Sequence, residues 1–353
     1  LLKIDPEIAH GMTMWGLELA QDLGLTSVTQ KLLNYEDKSL EMELFGLRFK
    51  NPLGLSAGFD KNARLVRIMP ALGFGFIEIG TVTGRAQFGN PKPRMFRLPK
   101  DYALINRLGF NSEGADAVSK RLKKLDKTTT PLGINIGKTE VANIENAERD
   151  YLYSFERLFP FGDYFVVNVS CPNTPQLQSL QDREPLEKLL KALNEKNRRL
   201  SIEGNVRRKP IMVKICPDRS PSQIDDVIEV VRNEKIDGII ATNTTSNQKG
   251  LKTKNIAKEW GGLSGRPLTR ISTEIIKYIY RRTEGLVPII GVGGIFNADD
   301  AYEKIKAGAS LVQIYTGMVY EGPSMMRSVK RKLLKYLERD KCESLRDAVG
   351  KSV

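Results

Sequence analysis

Histidine is almost absent from this chain, and cysteine nearly so. The 353 residues contain one histidine, His10, and three cysteines, Cys171, Cys216 and Cys342. Hydrolases of the Ser-His-Asp or Cys-His type need a histidine as base, so a lone histidine near the N-terminus makes that class hard to build. The cysteines are odd in number and far apart, which argues against a disulfide framework and for a reducing compartment. No pair has the spacing of a zinc motif, and no metal site is expected. No apolar run approaches the ~18 residues that span a bilayer. No signal-peptide pattern opens the chain, and its start at Leu1 rather than methionine leaves room for residues upstream.

What is present is a globular composition, 41 % apolar and 27 % charged, sufficient for one large barrel or two ordinary domains. The net charge is +13, with basic clusters in "NRRLSIEGNVRRK" and "KRKLLKYLERDK". A solvated surface is the ordinary explanation. An anionic membrane is a second, and nucleic acid a third. Aromatics do not interleave with the clusters in a stacking pattern, so no nucleic-acid partner is expected.

Eight short runs rich in Val and Ile recur in order: "PLGLSAG", "FIEIGTV", "LGINIG", "YFVVNVS", "IMVKIC", "GIIATNT", "VPIIGVGGI" and "LVQIYTG". Buried parallel strands have this continuous rather than alternating character. Amphipathic stretches lie between them at Ser119–Leu125, Leu186–Leu200, Ile224–Val231 and Ala298–Ala307. The pattern predicts an α/β fold, a (β/α)8 TIM barrel, with a doubly wound sheet as the alternative. Before it, Ile4, Ile8, Met12, Trp15, Leu19 and Leu23 recur at near-helical spacing, predicting two short helices over residues 1–36. "EMELFGLRFKN" predicts a hairpin closing the barrel floor. Long loops at 83–112, 172–185 and 245–270 fall on the face where such barrels place chemistry.

The strand ends carry unusual residues: Lys61, Thr81, Asn135, Asn168, Lys214 and the "TNTT" of Thr242–Thr245. In "VVNVSCPNTP" an apolar strand gives way to a loop at Cys171, with Asn173 close behind. Asn106 and Asn111 flank "RLGF". An asparagine amide offers donors and an acceptor on one plane, and several together suit a flat ring with alternating N–H and C=O groups, such as a pyrimidine or a flavin. "GVGGI" and "YTG" end the seventh and eighth strands, where barrels often cradle a phosphate, and "GGLSG" offers further exposed backbone donors. Lys61 and Lys214 are costly to bury unless something negative meets them.

Taken together, "NPLGLSAGFDKN", "EIGTVT", "GNPKPRMFRL", "INRLGFN", "GINIGK", "NVSCPNTP", "VKICPD", "IATNTT", "GGLSGRPL", "IIGVGGI" and "LVQIYTG" resemble the dihydroorotate dehydrogenases over nearly the whole chain. The N-terminal "KIDPEIAH" and the helical segment after it resemble the membrane-associated, quinone-dependent class 2 enzymes. The resemblance implies an FMN flavoenzyme that oxidises (S)-dihydroorotate to orotate in pyrimidine biosynthesis. Carried over by position, Ala57, Gly58, Lys61, Thr81, Asn135, Asn168, Lys214, Thr242, Gly265, Gly294, Tyr315 and Thr316 would hold FMN. Lys61, Asn106, Arg107, Leu108, Gly109, Phe110, Asn168, Asn173, Asn243 and Thr244 would hold substrate, while His10, Arg97 and Tyr315 would line a quinone tunnel.

In that family the residue at the Cys171 position takes the C5 proton of dihydroorotate while a hydride leaves C6 for the flavin. Class 2 enzymes typically carry serine there and the soluble class 1 enzymes cysteine, so this chain pairs a class 2 body with a class 1 base. A thiol titrates near ~8.5, far closer to neutrality than a serine hydroxyl. The expected division is a membrane and quinone segment over residues 1–36 and an FMN-binding barrel over 37–353. The expected protein is a monomer at the cytoplasmic face of the inner cell membrane, touching it through its N-terminal helices. The alternative is the same half-reaction with a soluble acceptor such as fumarate. A non-catalytic barrel that binds anionic surfaces is a third reading.

Overall fold

The computed structural model describes residues 4–126, 128–174, 177–253 and 259–353. Pro175 of the "NVSCPNTP" motif, Lys3 of "KIDPEIAH" and parts of the loops 172–185 and 245–270 lie outside them. The chain opens with helices α1 (Pro6–Asp22) and α2 (Thr26–Leu33), then a hairpin of β1 (Met42–Leu44) and β2 (Leu47–Phe49). Next come β3 (Leu53–Leu55), β4 (Phe76–Thr83), β5 (Met95–Leu98), β6 (Ala103–Asn106), α3 (Ala115–Leu122), β7 (Leu132–Gly137), α4 (Ala147–Leu158) and β8 (Tyr164–Asn168). They are followed by α5 (Arg183–Glu203), β9 (Ile211–Ile215), α6 (Pro221–Asn233), β10 (Gly238–Ala241), β11 (Gly262–Gly265) and α7 (Leu268–Thr283). The last elements are β12 (Ile289–Val292), α8 (Ala298–Lys306), β13 (Leu311–Ile314), α9 (Thr316–Glu321) and α10 (Met325–Arg339).

Eight parallel strands close a barrel in the order β3-β4-β7-β8-β9-β10-β12-β13, with β13 pairing back to β3. They are the eight apolar runs of the sequence, each short because only the stretch between barrel floor and mouth is buried on both faces. Aromatics and branched residues fill the interfaces, among them Phe76, Tyr151, Tyr164 and Phe165, all fully buried. The helices pack outside, and two begin with capping boxes, Ser220 with Gln223 on α6 and Asn297 with Asp300 on α8. The stretch expected to be helical at Ser119–Leu125 forms α3 four residues earlier, from Ala115, and ends at Leu122 in a turn.

The hairpin β1–β2 is antiparallel, as its alternation predicts. Its turn residues Phe45 and Gly46 both have positive φ, and the Phe45 ring lies against Gly238 where β10 starts, under the barrel floor. The sequence gives no warning of a three-stranded antiparallel sheet, β5-β6-β11, assembled from the long loops over the barrel mouth. It registers Asn106 against Met95 on one side and Gly262 on the other.

The N-terminal segment forms the two expected helices, although α1 is 17 residues long rather than short. Asp5 caps it by accepting from the Glu7 and Ile8 N–H groups at 3.0 Å each. Gln21 fastens its C-terminal end, donating to Arg64 O and accepting from Arg67 N and Ile68 N. The apolar stripe turns outward, not onto the barrel: Ile8 is 59 %, Trp15 66 % and Leu23 65 % exposed. Among the described residues no helix is long and apolar enough to cross a membrane.

Candidate active site

A cleft of about 1080 Å³ opens where the barrel strands end, roofed by the β5-β6-β11 sheet. Cys171 stands three residues beyond β8, buried, among Asn106, Asn173, Asn243 and Lys61 on the cleft wall. The asparagines are fixed by one another. Asn168 donates from Nδ2 to Thr81 Oγ1 at 2.9 Å and to Asn135 Oδ1 at 3.3 Å, and Thr81 in turn donates to Asn135 Oδ1 at 2.6 Å. Asn243 donates to Asn168 Oδ1 and Ser170 Oγ, and Asn173 donates to Asn106 O at 2.9 Å. Asn173 Oδ1 is buried with no partner among the described residues, an orphaned acceptor facing a site built for a ligand that donates.

Beneath this layer runs a charged one. Glu78, fully buried in the middle of β4, accepts from Asn135 Nδ2 at 2.8 Å and from Gln313 Nε2 at 2.5 Å. Its carboxylate also pairs with Lys214 Nζ at 3.8 Å, which reaches Ser56 Oγ at 3.5 Å. Glu78 and Gln313 escape sequence reasoning. The only signal was a single acid inside the otherwise apolar run "FIEIGTV".

Lys61 donates to Asn111, and burial together with the nearby Arg94 charge pulls its ammonium down to about 7. The Cys171 thiol moves the other way. Burial pushes it above the ordinary thiol value, against the pull of the Asn173 N–H, the Thr174 hydroxyl and the Lys61 and Lys214 charges. This corrects the sequence expectation of a thiol titrating near its usual value, because burial removes the water that would solvate a thiolate, and the polar neighbours offset only part of that loss.

The glycines gather at the other end of the cleft, where Gly265, Gly293, Gly294 and Gly317 join Thr316 and Leu268, the first residue of α7. A Cβ on Gly294, whose φ is +70°, would lie 2.2 Å from Thr269 Oγ1. Only glycine allows the backbone to pass there.

A second cavity of about 910 Å³ lies between α1 and the barrel mouth. Its wall is apolar, formed by Pro6, Ala9, Leu17, Leu72, Met318 and Val319, with His10, Thr13 and Arg97 as polar groups. Met95, Leu104 and Tyr315 line both cavities, so they share a wall. His10 meets Phe59 edge-on at 5.0 Å, and Phe59 meets Tyr315 at 5.8 Å, forming an aromatic ladder from α1 to that wall. Burial and the Lys61 charge pull His10 down to about 4, so its imidazole is neutral at neutral pH. Arg97 donates to Ile4 O at 2.9 Å.

Of the residues singled out from the sequence, the cleft collects Ala57, Gly58, Lys61, Thr81, Asn106, Leu108, Gly109, Phe110, Asn168, Cys171, Asn173 and Lys214. It also collects Thr242, Asn243, Thr244, Gly265, Gly294, Tyr315 and Thr316. Asn135 stands one layer behind, supporting Thr81 and Asn168. The Arg107 side chain is not brought in. It ion-pairs with Glu259 at 2.5 Å and stacks over Phe96 and Trp260, because a guanidinium finds both a carboxylate and aromatic faces outside the cleft.

The cleft matches the phosphate-bearing flavin mononucleotide in three respects: a glycine-lined end, amides set for a flat ring, and a buried lysine at that layer. A family model described as dihydroorotate dehydrogenase matches residues 39–337. A dihydroorotate dehydrogenase (quinone) from Christiangramia forsetii is 51 % identical over 335 residues, covering 95 % of this chain and 96 % of its own. One from Gloeobacter violaceus is 49 % identical over 350 residues, covering 99 % and 96 %. The ligand-free DHODH structure from Eimeria tenella matches with a TM-score of 0.89 at 39 % identity, covering 99 % of each chain. Fold, cleft and sequence agree along the whole barrel: this chain belongs to the dihydroorotate dehydrogenase family.

Proposed function

We propose that this protein oxidises (S)-dihydroorotate to orotate in pyrimidine biosynthesis and passes the electrons to a quinone. When bound, FMN supplies the two-electron acceptor that links the two half-reactions. The residues that would hold it are Gly265, Gly294 and Thr316 at the glycine end, with Ala57, Gly58, Thr242 and Tyr315 along the cleft. Thr81, Asn135, Asn168, Lys61 and Lys214 would meet its ring.

The substrate is a flat anion, and the cleft offers what such an anion needs. Lys61 supplies a cation beside Cys171, and Asn106, Asn173, Asn243 and Thr244 supply amide and hydroxyl groups. Leu108, Gly109 and Phe110 line the pocket from the side, while Arg107 before them would act through its backbone only. Cys171 acts as the base. Its thiol first gives up its proton to solvent; the thiolate then takes the proton from C5 as that C–H bond breaks. Lys61 and Lys214 stabilise the negative charge on sulfur before the transfer.

The second cavity serves the quinone, with His10, Arg97 and Tyr315 at its polar points. Residues 1–36 form the segment that admits it, and 37–353 the flavin-binding barrel. The outward stripe of Ile8, Met12, Trp15 and Leu19 seats this segment on the membrane face as an interfacial helix, the protein acting as a monomer at the inner cell membrane. The observation that carries the reading is the shared wall: a polar, cysteine-bearing cleft and an apolar cavity meeting at Tyr315. A single test reaches the substrate assignment. The purified protein should be yellow, and anaerobic dihydroorotate should bleach it; a flavin that dihydroorotate never bleaches contradicts the assignment.

A further inference from the structure

Lys304 lies within α8 and is fully buried. Its ammonium donates to Ser272 Oγ at 2.5 Å, Thr273 Oγ1 at 2.9 Å and Thr269 O at 3.0 Å, all on the first turns of α7. Among the described residues it has no ion pair. The nearby cation Arg266, by contrast, is held in both hands by Asp300 at 2.9 Å. A buried ammonium without a counter-ion is costly, and three neutral acceptors offset only part of that cost.

The groups that hold Lys304 also hold the glycine loop. Ser272 Oγ lies 3.2 Å from Gly293 O, and Thr269 Oγ1 donates to Gly294 O at 2.8 Å. Lys304 therefore stands directly behind the glycine end of the cleft, one hydroxyl removed from it. Lys61 and Lys214, the buried cations on the cleft wall, belong to its other end, beside Cys171 and the amide layer. Among the described residues, that leaves the glycine end with a positive charge behind it that no carboxylate ion-pairs, Asp300 being taken up by Arg266 and by the Phe296 and Asn297 N–H groups.

We infer that Lys304 is a positioning residue for the cofactor's phosphate: its buried charge attracts the dianion through the α7 hydroxyls and fixes the Gly293–Gly294 loop that receives it. The role rests on the FMN reading above. Burial alone pulls the ammonium down to about 7, against the pull of Glu303 and Asp300 on its own helix. A dianion at the glycine loop supplies the missing counter-charge and favours the protonated form.

The test compares FMN with riboflavin, which has the same ring and no phosphate. Dissociation constants are read from flavin fluorescence on reconstituting the full chain, for wild type, Lys304→Met and Lys304→Gln. Lys304→Met should weaken FMN by tenfold or more and riboflavin by less than threefold. Lys304→Gln, which keeps a donor but no charge, should lose FMN similarly. The phosphorus resonance of FMN bound to the full-length variants should also shift from its wild-type position. Equal losses for both flavins, or full retention of FMN affinity in Lys304→Gln with an unmoved resonance, would overturn the inference. Failure of wild type itself to bind FMN would instead strike at the flavoenzyme reading.

Discussion

Replacing Cys171 tests the chemistry where the structure is most specific. Removing a positioned general base typically costs ~10²–10⁴-fold, equivalent to about 3 to 5 kcal/mol of barrier. Cys171→Ala should slow anaerobic flavin reduction by dihydroorotate within that range, because the thiol is the buried base candidate beside Lys61 and the asparagine layer. The pH profile carries the finer prediction. The reactive form is the thiolate, so the rate is lost as pH falls below the thiol's pKa, tenfold per unit. Since burial raises that pKa, the limb should still be rising above the range where a free thiol, near ~8.5, has levelled off. Lys61 titrates in the opposite sense. Its ammonium, held down to about 7 in the free protein, loses charge as pH rises, so kcat/KM falls on that side. A bound carboxylate restores the ammonium, and the falling limb should weaken at saturating substrate. Stopped-flow absorbance of the flavin, from neutral to alkaline pH, reads both limbs. If Cys171→Ser keeps the wild-type rate and the same alkaline limb, the thiol is not the base.

Three further substitutions probe other parts of the molecule. Gly294→Ala forces a Cβ to within 2.2 Å of Thr269 Oγ1 at a φ of +70° and should yield protein with little flavin, read from its visible absorbance after purification. Glu7→Gln removes the carboxylate that pairs with Arg94 at 2.8 Å; Arg94 also donates to Phe88 O and Asn90 O, so the loop beside the substrate loosens with α1. Losing such a charged hydrogen bond should cost about 1.5–3 kcal/mol in thermal unfolding and raise the KM for dihydroorotate. Trp15→Ser, on the outward face of α1, should cut partition into anionic lipid vesicles by roughly tenfold, the equivalent of ~1.5 kcal/mol of apolar burial, while leaving flavin reduction unchanged.

The barrel was legible because each strand is buried on both faces and so stands out as an unbroken apolar run. The β5-β6-β11 sheet was not. Its strands are four residues long, and Gly262–Gly265 reads as a flexible glycine loop until it pairs with a strand more than 150 residues earlier. α7 and α10 were hidden by charge: "KRKLLKYLERDK" reads as a basic surface cluster, yet Lys330 within it is fully buried, donating to Asn34 and to Gly73 O. The amides at strand ends announced themselves by position, since polar residues that close an apolar run lie at the barrel mouth. Glu78 and Gln313 could not, because a strand's sequence does not reveal which of its polar residues another strand will meet. Arg107 went astray for the related reason that a motif fixes the backbone path, while Glu259 and Trp260, far along the chain, decide where the guanidinium goes.

The central claim, a cysteine base in an enzyme whose flavin is reoxidised from the α1 cavity, is tested most directly by the oxidative half-reaction. The flavin is reduced anaerobically with dihydroorotate, then mixed with a ubiquinone analogue or with fumarate while recovery of the yellow colour is followed. The account predicts fast recovery with the quinone and none with fumarate, and loss of the quinone reaction in a chain lacking residues 1–36. Recovery with fumarate, undiminished by that deletion, would contradict it.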